Sequence, residues 1–462
     1  MSNQLSEKDN QRRRFILQAN MWGVVLAVSL PLAIYNSLNS IFTFLDSLMA
    51  SYISSEVVSA VTYVSQIKGA IGAVGMGLAL GGGIIIARHY GAGNMEKAKK
   101  VANTLLFLAI AIGLVLIVLI VPFTRPILRI LNTPEELINV GSSYFAVEII
   151  AVISMFINNV YIAIERAKGN TKKILYLNLM VLAIKLPLTA LFIYVFHMGV
   201  TMMAVGTLIA HMVLTIIGMR DMLKPDNIFR LSIKDIELSK KMIWPILILG
   251  VPIFFEKFAF SFGKVIVNSM SVAYGGTVVG ALGVSNNIGG IITGAGGGFQ
   301  DGESAIISQN IGNNDFTRAI DAFKKTLIVS LALGLIGFVL TGIFGDQLIA
   351  IFAKGDMVFA KEIKNIFQYE RYALITLTIA SASMGFLYGF GYTKLSLIIN
   401  FMRLFAFRIP ILYGLQKFTT LESKGVGIAM MVSNLLVGIL SLSIVLIVIW
   451  RMKKGKDIDV VI

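Results

Sequence analysis

A frame of prolines, glycines and alanines set down in the first half of this 462-residue chain returns about 221 positions later. Pro31, Ala60, Gly75, Gly77, Gly81, Gly91 and Ala98 align with Pro252, Ala281, Gly296, Gly298, Gly302, Gly312 and Ala319. One position further on, Trp22, Gly169, Thr171, Lys172 and Asn178 meet Trp244, Gly391, Thr393, Lys394 and Asn400. Self-similarity at one long offset means that the same unit is built twice, so any fold proposed for one half must also fit the other.

The unit belongs in a bilayer. The chain is 56% hydrophobic and 14% charged, where a soluble chain carries roughly a quarter charged residues. Apolar runs such as 101–123 and 423–450 are long enough to cross the hydrocarbon core, which excludes a very apolar soluble helical protein. The net charge of +15 suggests nucleic acid until its distribution is followed. Basic residues gather in alternate loops, at Arg12–Arg13–Arg14, around Lys97 and Lys100, around Arg166 and Lys173, over 220–241, around Arg318 and Lys325, and at Arg451 to Lys456. That is the positive-inside pattern. It predicts both termini and these loops on the cytoplasmic side, with Trp22, Trp244 and Trp450 at the same interface. No nucleic-acid partner is expected. There are no cysteines, so disulfides, iron–sulfur clusters and thiol catalysis are excluded. The basic start and following apolar run resemble a signal peptide, but the run continues past Pro31 without a small-residue cleavage site and reads as a retained first helix.

The apolar pattern predicts an all-α integral membrane protein of twelve helices, near 20–49, 57–88, 98–123, 137–166, 172–197 and 199–222, then 241–274, 278–310, 318–344, 359–391, 394–418 and 424–451. The expected organisation is an N-terminal tail (1–19), a six-helix lobe (20–222), a linker (223–240), a second six-helix lobe (241–451) and a C-terminal tail (452–462). An even number of spans per half makes the repeats parallel, a usual build of secondary transporters, with the site between halves. Gly81-Gly82-Gly83 and Gly296-Gly297-Gly298 lack the lysine and flanking strand of a phosphate-binding loop. They read as places where helices approach closely.

Four stretches then carry a family resemblance. One is the Pro31 to Asp46 helix, followed by a second ending Arg88-His89-Tyr90-Gly91-Ala92-Gly93-Asn94. Its repeat ends Ser308-Gln309-Asn310-Ile311-Gly312-Asn313-Asn314. The others are Pro252-Ile253-Phe254-Phe255-Glu256, and Gly389-Phe390-Gly391-Tyr392-Thr393 leading to Arg403 and Arg408-Ile409-Pro410. In this order the chain resembles the multidrug and toxic compound extrusion (MATE) transporters over almost its whole length. The resemblance implies a V of two six-helix lobes, in the plasma membrane, that faces each side alternately. It also implies export coupled to H+ or Na+ re-entry, organic cations as favoured substrates, no enzymatic chemistry and no cofactor.

Ionisable groups inside membrane helices are costly and are functional candidates by default. Asp46 matches the family's acidic residue in the first helix, tied to cation coupling; alternatively it caps the helix or faces water. Glu256 matches an acidic position in the seventh helix, against a structural ion pair with Lys264 or Arg403. Their repeat counterparts are Val267 and Tyr35, so the acids break a symmetry that the scaffold keeps. The fifth helix departs from the family pattern. Lys185 and Thr189 stand where polar cation ligands are usual, and a protonated lysine ligates no metal. Lys185 and its counterpart Arg408 each lie two residues before a proline. An Asp46–Lys185 ion pair is one expectation, with Lys185 reaching an interface as the other. Lys257 and Lys264 share a helix face with Asn268 nearby. With Arg403 and Arg408 they leave room for an anionic or zwitterionic substrate. Tyr35, Asn36, Asn39, Thr189, Lys257 and Asn268 are the candidate cavity residues. Na+ at Asp46 or Glu256 is the one metal site considered.

The resulting expectation is a cation-coupled antiporter exporting drugs or other small organic compounds, functional as a monomer. The alternative is a flippase of lipid-linked or anionic cargo from the same wider superfamily. A membrane enzyme would cluster His, Asp or Glu on neighbouring loops, and a receptor leaves the duplication unexplained.

Overall fold

The computed structural model describes residues 5–53, 55–130, 135–353 and 355–455. Within them, the side chains at 43, 44, 46–48, 50–53, 55–60, 62, 63, 66, 136, 137 and 140 lie outside the description.

The chain is helical throughout its described membrane region, as it must be where no water is present to satisfy open backbone groups. A short α1 (Glu7–Gln18) precedes the first half. That half contains α2 (Met21–Ile53), α3 (Ser55–Gly91), α4 (Met95–Ile120) with α5 (Thr124–Ile130), α6 (Glu135–Ala167), α7 (Thr171–Ala190) and α8 (Thr201–Leu223). The second half contains α9 (Lys240–Ser271), α10 (Gly276–Gly312), α11 (Phe316–Ala353), α12 (Met357–Glu370) with α13 (Leu374–Phe390), α14 (Thr393–Phe401) with α15 (Ile409–Phe418), and α16 (Ser423–Lys453). These elements make twelve spans long and apolar enough to cross a bilayer, the number that the sequence predicts. The fifth and eleventh spans each contain a π-helical stretch, Leu191–Val195 and Met402–Arg408.

The duplication is visible in the turns. Gly93 and Asn314, 221 positions apart, both take positive φ, +78° and +59°. The next residues, Asn94 and Asp315, cap α4 and α11 by accepting from Lys97 N (3.1 Å) and Arg318 N (2.9 Å). Side-chain caps of this kind satisfy donors that a helix start leaves open. Gly169 and Gly391 repeat the device in the loops that open α7 and α14, at φ +75° and +81°.

The two halves exchange their first helices. The inner face of α2 packs on α10 of the second half, and α9 packs on α3 of the first. Small residues make both seams close. A Cβ added at Gly298 would meet Ala33 N at 2.2 Å and one at Gly302 would meet Ser29 Oγ at 2.3 Å. In the other seam, Gly77 and Gly81 would meet Gly250 O at 2.7 Å and Gly250 N at 2.6 Å. At the basic end the reciprocity is complete: Gly91 lies against Gln309 O and Gly312 against Arg88 O, each 2.0 Å from an added Cβ. Arg166 and Asp301 form an ion pair across the same region at 3.2 Å, and Gln309 Nε2 donates to Ala167 O at 2.6 Å.

The segment expected as a tail carries α1, which straps this end. Ser6 caps it by accepting from Asp9 N. Arg13 donates to the carbonyls of Tyr90 (2.9 Å) and Gly91 (2.7 Å) in the first half. Arg318 of the second half donates to those of Ile16 (2.9 Å) and Ala19 (2.7 Å). Bonds with a charged donor contribute about 1.5–3 kcal/mol each. Arg318→Ala is therefore expected to lower the unfolding midpoint of detergent-solubilised protein more than Arg14→Ala, whose side chain is exposed. Equal midpoints would show that the strap adds nothing.

Candidate functional site

A cavity of about 410 Å³ lies within the second half, walled by α9, α10, α12, α13, α16 and the π-helical stretch of the eleventh span. Among the described residues, the first half contributes only Ser40 of α2 to its lining. The α10 wall includes four glycines, Gly289, Gly290, Gly294 and Gly297, beside Asn286, Thr293 and Gln300, and the missing side chains leave space open.

Glu256 of α9 forms part of this lining and is 4% exposed. Tyr388 Oη of α13 donates to Oε1 at 2.6 Å, and Ser396 Oγ of α14 donates to Oε2 at 2.7 Å. Lys257 Nζ lies 3.2 Å from Oε1 and 5.8 Å from the centre of the Tyr388 ring. Both carboxylate oxygens thus accept from donors, the arrangement that stabilises an acceptor-only group away from water. The ion pair is with the chain neighbour Lys257, and not with Lys264 or Arg403, the structural alternative to a coupling role.

The π-helical stretch explains the two arginines. Residues five apart point about 140° away from each other on an α-helix, whereas i→i+5 bonding brings them to one side. Arg403 Nε and Arg408 Nη2 both donate to Asn434 Oδ1 of α16, at 3.0 and 2.6 Å. Arg408 Nε also donates to Ser433 Oγ at 3.0 Å. Lys264 has its Nζ 4.8 Å from the centre of the Phe260 ring, and the Arg403 guanidinium lies 5.2 Å from the same ring. Glu370, 5% exposed, accepts from Ser285 Oγ at 2.5 Å. Asn434→Leu is expected to cost about 1.5–3 kcal/mol for each charged hydrogen bond removed, seen as a lower melting midpoint. An unchanged midpoint would mean that water replaces the amide.

The remaining described candidates do not line this cavity. Asn268 is half-buried on α9 beyond the cavity lining. Asn36 sits on α2 along the α10 seam, where its O lies 2.9 Å from a Cβ added at Gly294, and Tyr35 is half-buried on the same helix. Asn39 is exposed on the same helix. Thr189 is 1% exposed and packs against Gly206 of α8 rather than facing this cavity. Lys185 is half-buried one turn before it. Asp46 belongs to α2, but its side chain lies outside the described residues, and so does the expected pair with Lys185. Elsewhere in the first half, Lys68 and the buried Glu148 form an ion pair. Asn158 accepts from Thr215 Oγ1 and donates to His211 O, both at 3.0 Å. Sequence reasoning missed Tyr388, Ser396, Asn434 and Ser285, which are ordinary polar residues until the fold brings them to a charge.

Asp301 and Glu303 have separate fates. Asp301 is spent on Arg166 of the other half. Glu303 is fully buried beside Gly385 of α13, and among the described residues neither of its oxygens has a hydrogen-bond partner. A buried polar group without partners destabilises by about 1–3 kcal/mol, so Glu303→Met is expected to raise the melting midpoint. A lowered midpoint would reveal an interaction on which the helix pair depends.

A model of the MatE family matches residues 31–191 and again residues 252–413, once in each half. The chain belongs to the MATE family of transporters. As a MATE protein it is a multi-pass membrane transporter, not an enzyme. It is 24% identical to the probable multidrug resistance protein YoeA of Bacillus subtilis over 424 residues, which are 88% of this chain and 89% of that one. It is 24% identical to the multidrug export protein MepA of Staphylococcus haemolyticus over 316 residues, 68% of this chain and 70% of that one. Among solved structures, a MATE protein in complex with MaL6 superposes with a TM-score of 0.91 at 20% identity, covering 95% of this chain and 99% of the other. An outward-facing multidrug resistance MATE transporter superposes at 0.90 with 20% identity, covering 97% and 99%. At these identities the likeness is one of MATE fold.

Proposed function

We propose that this protein is a cation-coupled antiporter that exports small organic compounds across the plasma membrane by alternating access, as a monomer with both termini cytoplasmic. The relatives named as multidrug export and resistance proteins support the export reading. The observation that carries the coupling is Glu256, buried at the cavity and tied to α13 through Tyr388 and to α14 through Ser396. A cation arriving at this carboxylate changes how three helices are held together. Asp46 is the second proposed coupling group, on the family resemblance.

The neighbours of Glu256 favour a proton over Na+. Lys257 already occupies the Oε1 side at 3.2 Å, and an ammonium offers no lone pair to a metal. A proton added to the carboxylate weakens the pair with Lys257 and turns one acceptor into a donor. Ser396 Oγ then has a second acceptor within reach, Thr393 O at 2.8 Å. The link between α9 and α14 is released without leaving a hydroxyl unsatisfied. This supports a cycle in which proton entry loosens the second half and substrate leaves.

The test is dye export by energised everted vesicles containing the full chain, with fluorescent cations and anions, with and without Na+. Accumulation that collapses with the proton gradient and ignores Na+ is expected. Strict Na+ dependence would overturn the proton, and a well-expressed chain that moves no dye of either charge would overturn the exporter.

A further inference from the structure

Among the described residues, four basic and two acidic side chains line the cavity of the second half. Lys257 and Glu256 neutralise each other. Three cations, Lys264, Arg403 and Arg408, then face one carboxylate, Glu370. Among the described residues none of the three forms an ion pair; the arginines use Asn434 and Ser433, and Glu370 uses Ser285. Neutral amide and hydroxyl oxygens orient a guanidinium without cancelling its charge. Lys264 has no hydrogen bond at all among the described contacts, only the ring of Phe260, which it shares with Arg403. Aromatic faces offset like charges by about 0.5–2 kcal/mol, far less than a counter-ion would. Clustered, uncompensated charges of one sign within a membrane domain mark a place where the missing charge arrives with a ligand.

We infer that this cavity takes an amphiphile bearing a carboxylate, sulfonate or phosphate, not an organic cation. Its anionic end settles among Lys264, Arg403 and Arg408, where the planar guanidinium of Arg403 retains N–H groups free to fork onto two oxygens. Its apolar part lies along Leu374, Leu377 and Met430, which also line the cavity. The volume of about 410 Å³ is within the usual range for a site that encloses a small organic molecule. Lys264 sets the sign of the accepted charge, because it lines the cavity and carries no structural hydrogen bond. The inference deepens the proposed export reading by naming its substrate class, and binding tests it apart from transport.

The experiment is fluorescence polarisation of 6-carboxyfluorescein, with ethidium as the cationic probe, on the purified full chain in detergent. The wild type is expected to bind carboxyfluorescein at least tenfold more tightly than ethidium. Lys264→Met is expected to weaken carboxyfluorescein about tenfold, and Lys264→Glu to reverse the order of the two dyes. Preference for ethidium in the wild type, or carboxyfluorescein binding indifferent to both Lys264 variants, would overturn the inference. Competition separates two sources of the same chemistry: displacement by taurocholate supports a free amphiphile, and displacement only by micellar polyprenyl phosphate supports a lipid-linked one. Anion binding by a chain that exports neither dye would sink the export reading while leaving this one standing.

Discussion

Glu256→Gln is expected to reduce gradient-driven export to the level of vesicles without the protein, a loss of at least about a hundredfold. The change unpairs Lys257, 3.2 Å away, and removes the carboxylate charge that the coupling ion is proposed to neutralise. Lys257 is one-third exposed, so its ammonium can be solvated when the carboxylate charge is removed, and the loss falls on coupling rather than on the fold. The amide keeps the shape of the side chain and one acceptor oxygen for Tyr388. The fold is therefore expected to survive, with a melting midpoint within a few degrees of wild type. Tyr388→Phe and Ser396→Ala each remove one donor of a charged hydrogen bond, about 1.5–3 kcal/mol, and should lower export on the order of tenfold without abolishing it. Export retained by Glu256→Gln at normal expression would move the coupling away from the second half, towards Asp46.

The second large effect is conformational. Gly91 and Gly312 each face the other half's backbone so closely that an added Cβ would stand 2.0 Å from a carbonyl oxygen, Gln309 O or Arg88 O. Backbone cannot swing aside as a flexible side chain does. Overpacking of this kind usually costs 1–3 kcal/mol. Gly91→Ala should therefore shift the balance between closed and open basic ends by about 5- to 150-fold towards open. The chain has no cysteines, so Lys97→Cys and Lys324→Cys can be spin-labelled in an otherwise silent background. Both positions are exposed, Lys97 in the first turn of α4 and Lys324 in the third turn of α11. Electron-electron distance measurements should show a longer population in Gly91→Ala and in Gly312→Ala. The double variant should add little, because both glycines serve one interface. An unchanged distance distribution in all three would show that the seam adjusts without opening.

Much of this architecture was legible in the residues because its causes are local. Apolar runs of membrane length mark the spans, basic loops mark one end, and the repeated glycines mark the close seams. The site was harder to see for a physical reason. Glu256 stands out as a carboxyl in an apolar helix, but its partners Tyr388 and Ser396 lie more than a hundred positions away. The alignment of Arg403 with Arg408 depends on a π-helical stretch, which leaves the 3.6-residue periodicity of the sequence almost untouched. The helix in the first twenty residues has little apolar periodicity and is defined by what it touches, Tyr90, Gly91 and Arg318. Thr189 is a cavity candidate only through the family resemblance, and its packing against Gly206 of α8 has no signature in the local sequence.

The exchange of α2 and α9 bears on how such a chain could have arisen. A single six-helix unit would leave the small-residue face of its second helix uncovered and its own first helix reaching outward. Two identical copies would satisfy each other, each lending an arm to its twin. Such a homodimer must carry every residue twice. Only after the copies share one chain can an acid stand at 256 with a tyrosine at 35, or at 46 with a valine at 267. The interlocked arms hold the partners in register while their interiors diverge, so that one half becomes basic without the other following.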